Sequence, residues 1–353
     1  MKTFVASITI AMAIAATAAA SNATAQIAQA TQAPTRSGIA GVIYTADEIG
    51  KSVSAVHLAS GKVTTVPISI APHNVQITSD GKQLLAVGGA ASDNHGHSSK
   101  SDASRLLVFA ADQLAAGPKT SIRVGSHPAH VVVDRLAQNA FVTVAGDNAV
   151  AVADLARKKV VRTISTGRSP HGLRISPNGR EIFVANVEDG SVSVIDVAKL
   201  AEVARIPVGR VPVQVAFTPD GTRVYVSLRD DNGVAIVDTA SRTKLGTIAV
   251  GRGPIQVHAT PDGHFVYVAN QGSDTEPGDT VSVIEVATGR VVDTIRTGRG
   301  AHGVAVSDDG RFVFVTNIVE NTVSVIDTST RAVTATFRVG QGPNGITFRA
   351  SKD

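Results

Sequence analysis

The sequence contains no cysteine and no tryptophan, and aromatic residues make up only 4% of its 353 residues. Disulfide bonds, thiolate metal sites, cysteine nucleophiles and haem attached through cysteine are therefore excluded. Any chemistry must come from histidine, carboxylates, arginine, lysine or serine. Because aromatic residues are so few, the 43% of hydrophobic residues must build a core of valine, isoleucine and alanine. Such a composition favours pleated sheets over helices.

The sequence also lacks a large excess of charge of either sign. The formal net charge is +4 at pH 7, which is too small to indicate nucleic-acid binding by itself. The loops also lack the aromatic residues on which bases stack, so we expect no nucleic-acid partner. No apolar run long enough to span a bilayer follows the first 25 residues, so no membrane span is expected in the mature protein.

A long apolar run lies at the N-terminus. Lys2 precedes the run 4–20, and small residues follow it. A charged start, an apolar middle and a small-residue cleavage site are typical of a secretory signal peptide. We expect residues 1–25 to be this signal, cleaved after Ala25, and the mature protein to reach the periplasm or the exterior. Residues 26–38 are polar without periodicity and are expected to form a flexible tether.

The remaining chain repeats one unit of about 42 residues, with four short apolar segments separated by turns. Each unit begins at an anchor residue, which is proline in all units but one. The anchors are Pro72, Pro128, Pro170, Pro212, Pro254, Ala301 and Pro343, with spacings of 56, 42, 42, 42, 47 and 42. A period near 42 with four strands per unit predicts the blades of a β-propeller.

The two ends of the repeat region complete each other. Three strand-like segments lie between residues 41 and 68, before the first anchor, and one lies at 345–349, after the last. Three and one make a four-stranded blade. We therefore predict an all-β fold, a seven-bladed β-propeller over residues 39–350, closed by the C-terminal strand joining the N-terminal blade. Most units turn between their first two strands at Asp-Gly or Asn-Gly, which tolerate the positive φ of a tight hairpin.

These repeats resemble a known family. The pattern Gly-x-x-Pro, then Val-Tyr-Val-x-Asn, then Val-Ser-Val-Ile-Asp is followed with variations at 167–196, 209–238 and 298–327, and it resembles the YVTN-repeat β-propellers. The resemblance covers essentially the whole chain after the tether and implies the fold. It implies no single activity, because members of the family include surface-layer proteins, electron-transfer subunits and binding proteins.

Six of the ten histidines map to one face of the predicted propeller, the face with the links between blades and the loops between strands two and three. They are His73, His171 and His302, directly after an anchor, His130, one position later, and His95 and His97, in the long insertion 88–105. Neutral imidazole is a common protein ligand of Zn²⁺ and Cu²⁺. The pattern predicts a divalent-metal site, which a carboxylate of the same face could complete: Asp47, Glu48, Asp93 or Asp147.

The alternative interpretation of these histidines is structural. A short His-x-His in a polar loop is often only solvated. Residues one and two after an anchor point to opposite sides of a regular strand, which would turn His130 away from His73. A resemblance to propeller-type periplasmic zinc chaperones rests on His95-Gly96-His97.

The same face is rich in arginine. Arg168, Arg210, Arg252 and Arg299 follow the glycine of four links, and Arg229 lies in a loop between strands two and three. A planar guanidinium matches carboxylate or phosphate, so these residues are candidates for binding an anion. The alternative is that each arginine pairs with an acid of a neighbouring loop, such as Glu188, Asp230 or Glu320.

No residue is assigned a catalytic role, since the sequence has no nucleophile elbow, no glycosidase-type carboxylate pair and no phosphate-binding glycine loop. The sequence favours a secreted, monomeric binding protein for zinc or copper, with an envelope protein or a metal-transport protein as its partner. Two alternatives stay open. One is a non-catalytic scaffold of the cell envelope, and the other is a metal-dependent hydrolase or lactonase.

Overall fold

A computed structural model describes residues 39–89 and 104–351. In these two ranges the strands form seven antiparallel sheets of four strands each. The sheets are the blades of a β-propeller, which confirms the seven-bladed fold expected from the repeats. Within the same ranges, no helix is both long enough and apolar enough to cross a bilayer.

Blade 1 joins the two ends of the described chain, and blades 2 and 3 follow in sequence order. Blade 1 contains β28 (Pro343–Ala350), β1 (Gly41–Asp47), β2 (Ser52–His57) and β3 (Lys62–Pro67). Blade 2 contains β4 (Ala71–Ile77), β5 (Gln83–Gly89), β6 (Arg105–Ala110) and β7 (Thr120–Arg123). Blade 3 contains β8 (Pro128–Val133), β9 (Asn139–Val144), β10 (Ala149–Asp154) and β11 (Lys159–Ser165).

Blades 4 to 7 each use four consecutive strands. Blade 4 contains β12 (Pro170–Ile175), β13 (Glu181–Asn186), β14 (Ser191–Asp196) and β15 (Ala201–Pro207). Blade 5 contains β16 (Pro212–Phe217), β17 (Arg223–Leu228), β18 (Gly233–Asp238) and β19 (Thr243–Ala249). Blade 6 contains β20 (Pro254–Ala259), β21 (Phe265–Gly272), β22 (Pro277–Glu285) and β23 (Arg290–Arg296). Blade 7 contains β24 (Ala301–Val306), β25 (Phe312–Asn317), β26 (Thr322–Asp327) and β27 (Ala332–Arg338).

The first strands of the blades form the inner wall of the propeller. Strands β28, β4, β8, β12, β16, β20 and β24 contact one another in this order, and β24 contacts β28 to close the ring. Each of these strands begins at or next to an anchor residue. The positions after the anchors therefore lie around one central channel, in a layer to which every blade contributes.

The core lies between neighbouring blades. In one cluster Phe183 of β13 packs with Val224 and Val226 of β17, and all three are fully buried. The second strands are buried along most of their length because each blade is covered on both faces. The fourth strands alternate between exposed and partly buried residues. The near-continuous apolar runs of the second strands follow from this packing.

An asparagine near the end of the second strand of several blades donates hydrogen bonds to hydroxyl groups of the third strand. Asn186 Nδ2 donates to Ser191 Oγ at 3.1 Å and to Ser193 Oγ at 2.9 Å. Asp47 has the equivalent place in blade 1, where it accepts hydrogen bonds from the hydroxyls of Ser52 and Ser54. Burial raises the pKa of Asp47 to about 6, although these hydroxyls lower it. Asp47, a candidate metal ligand from the sequence, is thus engaged in the structure of its own blade.

A β-bulge interrupts the pairing of the first two strands at the start of most blades. In blade 3, Pro128 pairs with Val144 and the next pair is Val131 with Val142, so two residues face the single residue Thr143. The same shift occurs in blades 4 to 7. The Thr143 hydroxyl accepts from the His130 N–H at 2.9 Å and donates to the His171 carbonyl at 2.6 Å. These bonds hold the bulge against the neighbouring blade.

Candidate metal centre at the start of the inner strands

Three histidines from three consecutive blades meet at the start of the inner strands. His73 belongs to β4, His130 to β8 and His171 to β12. One ring nitrogen of each lies within 4.8 Å of one ring nitrogen of the other two, and the ring centroids are 4.8–5.5 Å apart. We refer to these three residues as the His cluster. Histidines that are 98 positions apart in sequence, His73 and His171, are in direct contact.

His73 is held by a carboxylate. Its Nδ1 lies 3.2 Å from Glu48 Oε2 and 3.3 Å from Glu48 Oε1. Asn344 of β28 donates to the same carboxylate at 2.5 Å. Burial raises the pKa of Glu48, but the neighbouring His73 and the bond from Asn344 outweigh it and lower this pKa to about 2. Glu48 is therefore an anion at neutral pH, and His73 presents Nε2 to the other two histidines.

His171 is oriented by the backbone. Its Nδ1 donates to the Val213 carbonyl at 3.1 Å, and its Nε2 lies 3.0 Å from His73 Nε2. Because both Nδ1 atoms donate to oxygen, both Nε2 atoms offer a lone pair in the neutral form. Two lone pairs at this distance repel unless a cation lies between them. A cation bound between the two nitrogens would remove this repulsion, and the Glu48 carboxylate lies beside the pair.

His130 is fully buried, and the bulge in β8 turns it toward its two neighbours. Gln214 Nε2 donates to His130 Nδ1 at 3.4 Å, and His130 Nε2 is buried without a hydrogen-bond partner among the described residues. Burial, with His171 and His73 nearby, lowers the pKa of His130 well below its usual range. A buried imidazole nitrogen without a partner is costly, and a cation bound to its lone pair, with the ring proton on Nδ1, would remove that cost.

His302 has the same environment as His171 but lies outside the His cluster. Its Nδ1 donates to the Asn344 carbonyl at 3.2 Å, as His171 does to Val213. Burial and the nearby His73 lower the pKa of His302 to about 4 and the pKa of His171 to about 3. His302 is thus a neutral imidazole near the cluster.

The other candidate ligands expected from the sequence have different positions. His95, His97 and Asp93 lie outside the described residues. Asp147 ends a 3₁₀ turn and accepts the backbone N–H of Ser126 at 2.9 Å, which ties two loops together. Among the four carboxylates considered from the sequence, Glu48 is the one in contact with the His cluster within the described ranges.

The five candidate arginines each contact a carboxylate. The pairs are Arg168 with Asp189, Arg210 with Asp231, Arg229 with Asp230, Arg252 with Glu276 and Arg299 with Glu320. Two of these acids, Asp230 and Glu320, were candidates from the sequence, whereas Arg168 forms its ion pair with Asp189. These exposed pairs offset much of the positive charge of this face. Anion binding by these arginines stays a prediction.

Comparison with known proteins places the chain among β-propellers. The family model described as "Cytochrome D1 heme domain" matches residues 12–266, more than half of the chain. The chain belongs to this family. The model described as "YNCE-like beta-propeller" matches residues 220–353. Together with the seven blades, these matches confirm the propeller family expected from the YVTN-type repeats. The search of curated proteins gave no match.

Several solved structures share the fold. Hydrazine synthase from Kuenenia stuttgartiensis is 19% identical with a TM-score of 0.66, and the match covers 81% of this chain and 97% of that chain. A functionally unknown protein from Desulfotomaculum acetoxidans is 17% identical with a TM-score of 0.73, covering 89% and 100%. A proposed 6-phosphogluconolactonase from Bacteroides fragilis is 16% identical with a TM-score of 0.70, covering 90% and 99%. At these identities the likeness shows the fold alone.

The family description implies haem, but the His cluster does not fit haem. Haem iron takes its protein ligands along its axis, on the two faces of the macrocycle. Three imidazoles with centroids 4.8–5.5 Å apart converge on one point and leave no gap for a macrocycle between them. The cluster suits a single ion.

Proposed function

We propose that this protein binds a divalent transition metal, Zn²⁺ in the first place, through His73, His130 and His171. The observation that carries the proposal is the convergence of three imidazole nitrogens within 4.8 Å. Glu48 and the Val213 carbonyl hold two of the rings by their Nδ1 atoms, as the outer partners of metal-binding histidines commonly do. Copper is the second candidate because imidazole also suits Cu²⁺.

Binding requires small rearrangements. Tetrahedral Zn²⁺ with bonds of about 2.0–2.1 Å places ligand nitrogens about 3.3 Å apart, so the widest pair of the cluster must close by about 1.5 Å. A metal on His130 Nε2 requires the ring proton on Nδ1, so the Gln214 Nε2 group, now 3.4 Å from Nδ1, must move away. The fourth position is open to water or His302.

Calorimetry on the mature protein tests the proposal. Zn²⁺ should bind with one-to-one stoichiometry, and His73→Ala or His171→Ala should weaken binding at least a hundredfold, since each removes a ligand. Repeating the titration in buffers of different ionisation enthalpy measures the protons that metal binding releases. The matched control is His57→Ala, which changes an exposed histidine outside the channel.

Two results would overturn the metal proposal. One is wild-type protein that binds neither Zn²⁺ nor Cu²⁺ in a saturable way. The other is native protein that carries a porphyrin absorption band and no stoichiometric zinc or copper by elemental analysis. The double change His95→Ala, His97→Ala tests whether the long insertion contributes ligands in addition to the His cluster. If zinc binding survives it, the insertion supplies no essential ligand.

We also propose that the protein acts outside the cytoplasm, in the periplasm or after secretion. The N-terminal sequence supports this, with its charged start and apolar run before Ala25. N-terminal sequencing of protein from the periplasmic fraction should find Gln26 as the first residue. Full-length protein retained in the cytoplasm would contradict the assignment.

A metal-dependent hydrolase is the second candidate. Three histidines around Zn²⁺ leave one position for water, which is the ligand arrangement of catalytic zinc sites. A solved relative of the same fold is a proposed 6-phosphogluconolactonase, which makes lactones the first substrates to try. Turnover that depends on zinc and is lost in His171→Ala would establish an enzyme. Zinc binding without turnover of lactones or esters would favour a binding protein.

A further inference from the structure

A second polar layer lines the channel beyond the His cluster. In six of the seven blades the fourth residue after the anchor borders a cavity of about 590 Å³: Gln76, Val132, Arg174, His258, Ala305 and Thr347. The cavity extends to the hairpin turns between the first two strands, at Asp80 and Asp308. It therefore lies at the opposite end of the inner strands from the His cluster. We refer to it as the Arg174 cavity.

Arg174 is a partly buried cation on the inner strand β12. Its guanidinium donates to the carbonyl of the preceding residue, Leu173, at 3.0 Å. No carboxylate of residues 39–89 or 104–351 forms an ion pair with it, in contrast to the five arginines near the links. Burial lowers the pKa of Arg174 to about 10, so it stays charged at neutral pH. A charge taken out of water is costly unless a counter-ion compensates it.

The surroundings of Arg174 do not supply that counter-ion. Burial and the nearby guanidinium lower the pKa of His258 to about 4, so its imidazole is neutral at pH 7. Two acids lie at the rim. Asp80 accepts from the Thr78 hydroxyl at 2.6 Å and lies 3.9 Å from Lys82 Nζ. Burial, with the neighbouring Asp309, raises the pKa of Asp308. Neither acid pairs with Arg174.

We propose that the Arg174 cavity binds a small oxyanion, a carboxylate or a phosphate, with the Arg174 guanidinium as its cationic anchor. The planar fork of arginine matches two oxygens of either group, and partial exclusion of water strengthens the contact. The cavity volume leaves room for a small molecule around the anionic group. The proposal is independent of the metal centre, because it uses residues of another layer.

Titration of the mature, metal-free protein with inorganic phosphate and with acetate tests the site. Sodium chloride at matched ionic strength serves as the reference. We expect saturable heat for at least one of the two oxyanions, and the stronger of the two identifies the preferred group. Arg174→Gln should weaken this binding at least tenfold, whereas Arg174→Lys should retain part of it as a point charge.

The matched control is Arg349→Gln. Arg349 borders the same cavity, but its guanidinium lies over the Tyr44 ring at 5.9 Å and reaches the Gly81 carbonyl at 3.5 Å. This variant should keep oxyanion binding within about threefold of wild type. If the control loses binding as strongly as Arg174→Gln, the anchor has been assigned to the wrong residue.

A measurement on the wild-type protein covers the case in which Arg174 variants fail to fold. The nitrogen-15 resonance of Arg174 Nε should shift and saturate with the same midpoint as the heat. The proposal is overturned if neither oxyanion gives saturable binding, or if the Arg174 resonance does not move at saturation. It is also overturned if folded Arg174→Gln binds as tightly as wild type.

Discussion

Glu48 connects the His cluster to the rest of the propeller through two contacts. It accepts from His73 Nδ1 at 3.2 Å and from Asn344 at 2.5 Å. A carboxylate in this position fixes the orientation of the ring and raises the basicity of the nitrogen that faces the metal. In the proposed metal site, Glu48 therefore acts through His73 and is a positioning residue.

Replacing Glu48 by glutamine keeps the size of the side chain and removes its charge. We expect Glu48→Gln to lower zinc affinity about 10–100-fold, the range typical of lost outer partners. The control is Glu202→Gln, which changes a partly exposed acid paired with Arg205 on β15. Competition titration with a zinc-binding dye measures both variants. Equal affinity for wild type and Glu48→Gln would show that the carboxylate does not support the site.

His258 makes the stability of the protein depend on pH. Burial and Arg174 lower the pKa of its folded form to about 4, whereas the unfolded form has an ordinary value near 6.5. Between these two values the unfolded chain takes up a proton that the folded chain does not. Stability from this group is therefore present above about pH 6.5 and is lost as pH falls toward 4.

The variant His258→Gln should flatten this dependence. Urea unfolding from pH 7 to pH 4 should show wild type losing more stability than the variant, by up to about 1.4 kcal/mol per pH unit. His130, His171 and His302 titrate in both proteins and cancel in the difference. Parallel curves for the two proteins would show that His258 does not contribute to acid sensitivity.

The sequence identified some residues of the site and gave no signal for others. The sequence placed His73 and His171 on one face, since both directly follow an anchor. It also placed His130 on this face, but alternation along a regular strand left open that its ring turns away from His73. Arg174 and Asn344 gave no signal in sequence, since a lone arginine or asparagine in a strand is distinguished only by its burial and its partners.

At the scale of elements, the second strand of each blade contributes most to the core. Val268 of β21 is fully buried and pairs with Val257 on one side and Ser282 on the other. Val292 of β23, in the same blade, is 40% exposed. The two valines allow one substitution to be compared in a buried strand and in an outer strand.

Val268→Asp should destabilise the protein by more than about 4 kcal/mol, because it buries a charge without a partner. Val292→Asp should cost about 1 kcal/mol or less, since its carboxylate can reach water. Urea unfolding followed by circular dichroism measures both. Similar losses in the two variants would mean that the second strand is less tightly enclosed than its burial indicates.

The elements were largely predictable because each carries a periodic signal. Apolar strands, Asp-Gly turns and anchors recur at 42 residues, and this spacing indicates four strands per blade. The bulges were not predictable. They depend on a hydroxyl such as Thr143, which bonds the backbone of two blades at once, and a threonine in a strand is too common to signal this.

At the scale of the whole molecule, stability depends on closing the ring. Strand β28 pairs with β1 and contacts β4 and β24. Without it, β1 presents an open edge and two neighbouring blades lose their packing surface. The fold therefore depends on a pairing between the two ends of the described chain.

Ending the chain before Pro343 tests this dependence. We expect the shortened protein to aggregate or to lose its cooperative unfolding transition, and to be cut rapidly by proteases. The control is a chain that ends after Ala350, which keeps all of β28. An unchanged urea midpoint after removal of β28 would show that six complete blades are stable without closure.

Glu48 and Asn344 are separated by 296 positions, yet they share one hydrogen bond beside His73. Both belong to blade 1, which forms only when the last strand docks on the first. During synthesis the histidines emerge long before Asn344 does. The three imidazoles are therefore synthesised before the strand that supports Glu48, and the proposed metal site is complete only after β28 has docked on β1.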